Sequence, residues 1–128
     1  MKEPYWLTLS ECLLLHDMML TQYGGCSGVR DEGLLESALA RPQQIHHYGS
    51  PTIADMAAAY AAGIVKNHPF LDGNKRTGFM MGAGFLERNG YEFLASEADV
   101  VIRTLALAAG EMSEAAYADW LKVNSKKA

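Results

Sequence analysis

Hydrophobic positions recur along the chain at the spacing of one helix face after another. LSECLLLHDMMLTQY, from Leu9, is preceded by Thr8 with Glu11 three residues on, which reads as a capping box, and Gly24-Gly25 closes the helix. Asp31 can cap a shorter helix through LLESALAR, which Pro42 should stop. The stretch QQIHHYG, residues 43–49, follows neither helical nor strand periodicity and reads as a loop or short hairpin. Ser50-Pro51 predicts a new helix with proline in its first position, running through Ile53, Met56, Tyr60 and Ile64. It should end near Asn67, because His68 precedes a proline and is pushed out of the right-handed helical region.

TGFMMGAGFLERN, from Thr77, is apolar on almost every side in its first part, so it should lie in the middle of the molecule, closed by Gly90. Gly78, Gly82 and Gly84 would each cost about 1 kcal/mol against alanine in a helix interior, which predicts close backbone packing there. YEFLA reads as a short extended link. Ser96 with Asp99 caps VVIRTLALAA, ended by Gly110, and Ser113 caps a last helix with Tyr117, Trp120 and Leu121 facing inward. The pattern predicts a single all-α domain over residues 1–128, a bundle of about six helices.

Composition narrows the class. The 128 residues are 49% hydrophobic and 20% charged, the profile of a soluble globular protein. Fifteen acidic against eleven basic residues give a net charge of −4, which argues against direct nucleic-acid binding over a broad face. Cys12 and Cys26 lack the spacing of a zinc site or a disulfide framework and read as free thiols in a reducing compartment. With no apolar run long enough for a signal peptide or a membrane span, the expected location is cytoplasmic.

The densest chemistry falls in HPFLDGNKRTGF, His68 to Phe79, where the pattern breaks between two helices. Gly73, Asn74 and Lys75 fall at a helix N-terminus, where free N–H groups and the helix dipole favour an anion. Lys75 and Arg76 add cationic donors, and the planar fork of Arg76 suits phosphate. Asp72 is then a candidate ligand for Mg²⁺, which binds through one or two carboxylates plus phosphate oxygens. His68 is a candidate proton acceptor from an attacking hydroxyl, since imidazole titrates near neutrality. Asn74 can fix the turn through its side chain, and Phe70 and Leu71 read as apolar pegs. Taken singly, such residues are more often turn formers and solvated charges, His68 more often a core or capping histidine than a base and Asp72 more often an N-cap; the case rests on the whole string.

HPFLDGNKR resembles the signature of the Fic/Doc superfamily, His-x-Phe-x-(Asp/Glu)-(Gly/Ala)-Asn-(Gly/Lys)-Arg. YGGCSGVRDEGLLESALARPQ, ERNGYEF and LALAAGEMS are similar to segments of its Doc (death-on-curing) branch. The resemblance implies a helical Fic fold with the motif between two central helices. It also implies transfer of a phosphate-containing group from a nucleotide to a protein hydroxyl. In that reading His68 is the general base, Asp72 holds Mg²⁺, Gly73, Asn74 and Lys75 bind phosphate, and Arg76 contacts phosphate. QQIHHYG would take the place of the family's flap, which pairs with an extended target segment.

AMP-transferring members usually carry glycine after the asparagine and a second arginine three residues beyond the first. Here those positions hold Lys75 and Phe79, as in the Doc branch, which implies transfer of the γ-phosphate of ATP rather than AMP. Similarity to Doc further implies a toxin restrained in trans by a Phd-like antitoxin, with a translation factor as target and elongation factor Tu the first candidate. An inhibitory (Ser/Thr)-x3-Glu-(Gly/Asn) helix is not found, since GVRDEG places Gly28 where Ser or Thr belongs. Arg41-x4-His46 also fits the loose pattern of HEPN-type ribonuclease toxins, though Pro42 should break the helix such a site needs. The structural readings are that Arg41 caps its helix and that His46 and His47 line the flap; as adjacent side chains those two make a poor metal pair. A silent binding module would have no need for His68 and Asp72 together.

Overall fold

A computed structural model describes residues 3–128. Six helices, α1 (Leu9–Tyr23), α2 (Glu32–Tyr48), α3 (Ile53–Asn67), α4 (Asn74–Arg88), α5 (Glu97–Ala108) and α6 (Glu114–Val123), are joined by one two-stranded antiparallel sheet. Its strands are β1 (Tyr91–Phe93) and β2 (Ser125–Lys127), with Tyr91 opposite Lys127 and Phe93 opposite Ser125. The architecture is the expected all-α one. The link expected at YEFLA is extended, and its backbone groups find their partners in the last residues of the chain.

The axis of the molecule is α3, in which every residue from Met56 to Val65 is buried. Its alanines let neighbouring helices approach. α4 lies against it with Gly78 and Gly82 at the contact: a Cβ on Gly78 would sit 2.5 Å from Val65 Cγ2 and 3.0 Å from the Ala61 carbonyl oxygen, and one on Gly82 3.0 Å from that of Ala57. Gly84 meets nothing closer than the Leu7 side chain at 3.7 Å, so close packing explains two of the three glycines. α1 rests on α4, while α2 and α6 flank α3. The capping box of Thr8 and Glu11 and the caps at Asp31, Ser96 and Ser113 form as the sequence predicts.

Four local expectations are corrected, at Pro42, at Arg41, at QQIHHYG and at the start of α3. Pro42 does not stop α2, which continues to Tyr48. The missing N–H loses one bond, and tertiary contacts offset it: Pro42 is buried, Ile45 packs against the core, the His46 ring meets Trp6 edge-on, and Arg41 pairs with Glu114. Arg41 therefore does not cap its own helix, and QQIHHYG is helical and not a flap. The start of α3 is Thr52, whose capping box with Asp55 places Ser50 and Pro51 ahead of the helix. His68 leaves the right-handed region as expected, but takes the left-handed one (φ 50°, ψ 56°), and not the extended form usual before proline.

Candidate active site

His68 to Gly73 form the loop between α3 and α4, and two neighbouring segments hold it. The first is the stretch after α1. Gly28 and Arg30 run antiparallel to the loop through a bridge between Val29 and Phe70. The Leu71 N–H donates to the Gly28 carbonyl (3.1 Å), and the Arg30 and Asp31 N–H groups donate to that of Pro69 (2.7 and 3.1 Å). The Arg30 side chain adds Nε to the His68 carbonyl (2.7 Å) and Nη2 to that of Asn67 (2.8 Å).

The second holder is α1. His16 is buried and stacks flat on Phe70, ring centroids 3.8 Å apart, with its Nε2 2.8 Å from the Asp72 carbonyl oxygen. A carbonyl can only accept, so Nε2 carries the proton. The Phe70 peg is fully buried as expected; Leu71 is instead 57% exposed and faces the cleft.

Asn74 closes the loop from within. Its Oδ1 accepts from the Phe70 N–H and its Nδ2 donates to the Phe70 carbonyl, both at 3.0 Å, and Nδ2 also lies 3.5 Å from His68 Nδ1. Gly73 is the left-handed N-cap of α4 (φ 77°), and no side chain caps this helix end. The N–H groups of its first turn thus stay available to an anion, beside the exposed Lys75 and Arg76. Among the described residues neither cation forms an ion pair; the Arg76 guanidinium instead rests 4.2 Å above the Tyr23 ring.

The Asp72 carboxylate accepts from the Gly73 N–H (2.8 Å), with the Cys26 N–H 3.4 Å from its other oxygen. Gly25 is required beside it, since its φ is 124° and a Cβ there would lie 2.7 Å from Asp72 Oδ2.

All six predicted residues, His68, Asp72, Gly73, Asn74, Lys75 and Arg76, line one cleft of about 720 Å³. Phe79, Met80, Phe93, Val100, Val101 and Leu105 make its apolar side, with Glu97 at the edge. Phe79 packs against Phe93 with ring centroids 5.6 Å apart. Arg41, His46 and His47 do not border this cleft: Arg41 is engaged with Glu114, and His46 Nε2 is 3.6 Å from Glu3. The ribonuclease pattern thus gathers no site.

Among the described residues no three His, Cys, Asp or Glu side chains are grouped to hold a metal ion. Asp72 alone therefore fits only a cation that arrives with phosphate oxygens and water as its other ligands. Sequence reasoning assigned no part in the site to His16, Tyr23, Gly25 or Arg30, and read Gly25 only as a helix terminator. Only tertiary contact reveals the first three, whereas Arg30 already stood in the GVRDEG stretch as a conspicuous charge beside a helix cap.

A model of the Fic/DOC family matches residues 6–86, a span that holds the whole loop and both of its braces. The chain is 34% identical over 113 residues to the protein kinase doc of Escherichia phage P1, covering 88% of this chain and 89% of that protein. It is 44% identical over 81 residues to the toxin Doc of Mycolicibacterium smegmatis, covering 61% of each.

Proposed function

The chain belongs to the Fic/DOC family, and from that premise we propose that it is the toxin of a toxin–antitoxin pair that phosphorylates a Ser or Thr hydroxyl of a translation factor. The observation that carries this reading is the convergence of one imidazole, one carboxylate, two cations and an uncapped helix N-terminus on a single cleft.

ATP would lay its phosphates on the N–H groups of Asn74 and Lys75, with Lys75 and Arg76 as cationic partners. Asp72 would hold a Mg²⁺ ion shared with those phosphates, whose charge lowers the cost of the charge redistributed in the transfer. His68 accepts the proton of the target hydroxyl while that oxygen bonds to the γ-phosphorus, and the bond to the β-phosphate oxygen breaks to release ADP.

Two features favour γ-phosphate over AMP transfer. Lys75 stands in the first turn of α4, where a glycine would leave room for inner phosphates. Phe79 belongs to the apolar side and offers the outer phosphates no charge. Restraint would come from a Phd-like antitoxin that folds onto the protein. The groove of about 400 Å³ that Leu13, Leu14, Leu20, Val29 and Phe70 help line offers apolar room for such a segment.

The test incubates the protein and Mg²⁺ with elongation factor Tu, the first candidate target, and ATP labelled on either the α- or the γ-phosphate. Label on the factor from γ alone is the expected result. Label from α alone replaces the kinase reading with adenylyl transfer, and no label removes this factor as the target.

A further inference from the structure

The loop braces differ in kind. Three join backbone to backbone and others use the side chains of His16 and Asn74, but one is a charged side chain placed on the residue proposed as general base. We infer that Arg30 is a positioning residue that sets the backbone of His68, and through it the aim of the imidazole; this rests on the proposed role of His68.

His68 is the only non-glycine residue with positive φ among the described residues. For an L-residue that conformation is strained, so something must over-determine it. Pro69 disfavours the right-handed alternative but not the extended one, which would swing the side chain away. The imidazole itself is held by little: the 3.5 Å approach of Asn74 Nδ2 is at the limit of a hydrogen bond. Its direction therefore comes from the main chain.

Arg30 acts on that main chain. Its Nε and Nη2 bridge the carbonyls of His68 and Asn67, the end of α3, where helical carbonyls lack partners and the dipole favours a cation. The rigid guanidinium fork fixes the two peptide planes relative to each other, which a lysine ammonium cannot do. Arg30 does not border the cleft, so it has no part in holding phosphate. Its own N–H bond to Pro69 does not depend on the side chain, so a substitution removes the fork and leaves the backbone bridge.

Arg30→Ala and Arg30→Lys are compared with the unaltered protein in steady-state transfer of γ-label and in crystal structures. The expected result for Arg30→Ala is a kcat lower by about tenfold or more with KM for ATP unchanged, and a His68 φ that has turned negative. Arg30→Lys, which keeps the charge and the fold but loses the fork, should fall between. An unchanged kcat, a KM that rises as kcat falls, or a His68 still left-handed in Arg30→Ala overturns the inference. If Arg30→Ala does not fold, a lysine variant as fast as the unaltered protein overturns it instead. Absence of transfer by the unaltered protein is a failure of the proposed function, and the φ of His68 then decides on Arg30 alone.

Discussion

The two sides of the cleft are built on opposite plans. The phosphate side is tied to two other segments, with His16, Phe70 and Asn74 buried beneath it and paired or stacked. The apolar side includes α5, a helix that keeps much of its hydrophobic surface in solvent: in α5 only Thr104 and Leu107 are buried, while Val101, Ile102 and Leu105 are about half exposed or more. α5 is attached to α6 by two polar ties, Thr104 to the Tyr117 hydroxyl at 2.9 Å and Asp99 to the Trp120 indole at 2.7 Å. The proposed phosphoryl transfer would need fixed donors, and the bonds that fix side chains are concentrated there. The opposite side has apolar surface still to be covered, and a bound ligand can complete it.

Substitutions on each side can break or sharpen this contrast. The largest expected effect is on His68→Ala, which should lower transfer by roughly 10²–10⁴-fold with nucleotide affinity retained; assays with γ-labelled ATP and a binding titration check it. Asn74→Ala removes both bonds to the Phe70 backbone and leaves a buried N–H unpaired, so stability should fall by about 1–3 kcal/mol in thermal or urea melts. Val101→Ala, 52% exposed on the other side, should change stability by no more than about 0.5 kcal/mol. Equal losses for these last two would erase the contrast.

The smallest effect concerns pH. The indole hydrogen bond of Trp120, more than any other contact, holds the Asp99 carboxyl below its ordinary value of 3.8, and Arg103 adds to it against a desolvation penalty. A depressed carboxylate stabilises the fold above its unfolded pKa, and that contribution is lost as pH falls through the folded one. The Trp120 indole resonance should therefore titrate with a midpoint below 3.8, while the rest of α6 stays folded.

Much of this was legible in the sequence. The caps at Thr8, Asp31, Ser96 and Ser113 are local, involving residues within three or four positions, and local chemistry survives into the fold. The six residues of the loop could be found because they are contiguous. What escaped was decided at a distance. Pro42 reads as a helix stop until Trp6 and Glu114 are seen to hold the turns on either side of it. His16 looks like one polar residue on an apolar helix until Asp72, 56 positions away, arrives at its Nε2. The strand at Tyr91 is too short to signal itself without Ser125–Lys127 beside it.

The order of the chain gives the braced loop one more property. The side-chain contacts that fix it join residues made no later than Arg76: His16 with Asp72, Arg30 with Asn67 and His68, Asn74 with Phe70, Tyr23 with Arg76. Phe79, Phe93, Val100 and Leu105 all leave the ribosome afterwards. Biosynthesis therefore supplies every side chain of the proposed phosphate cradle before those of the apolar side, at about 5–20 residues per second. A nascent chain carries every reactive group of the site for a few seconds before it owns the surface that closes the cleft.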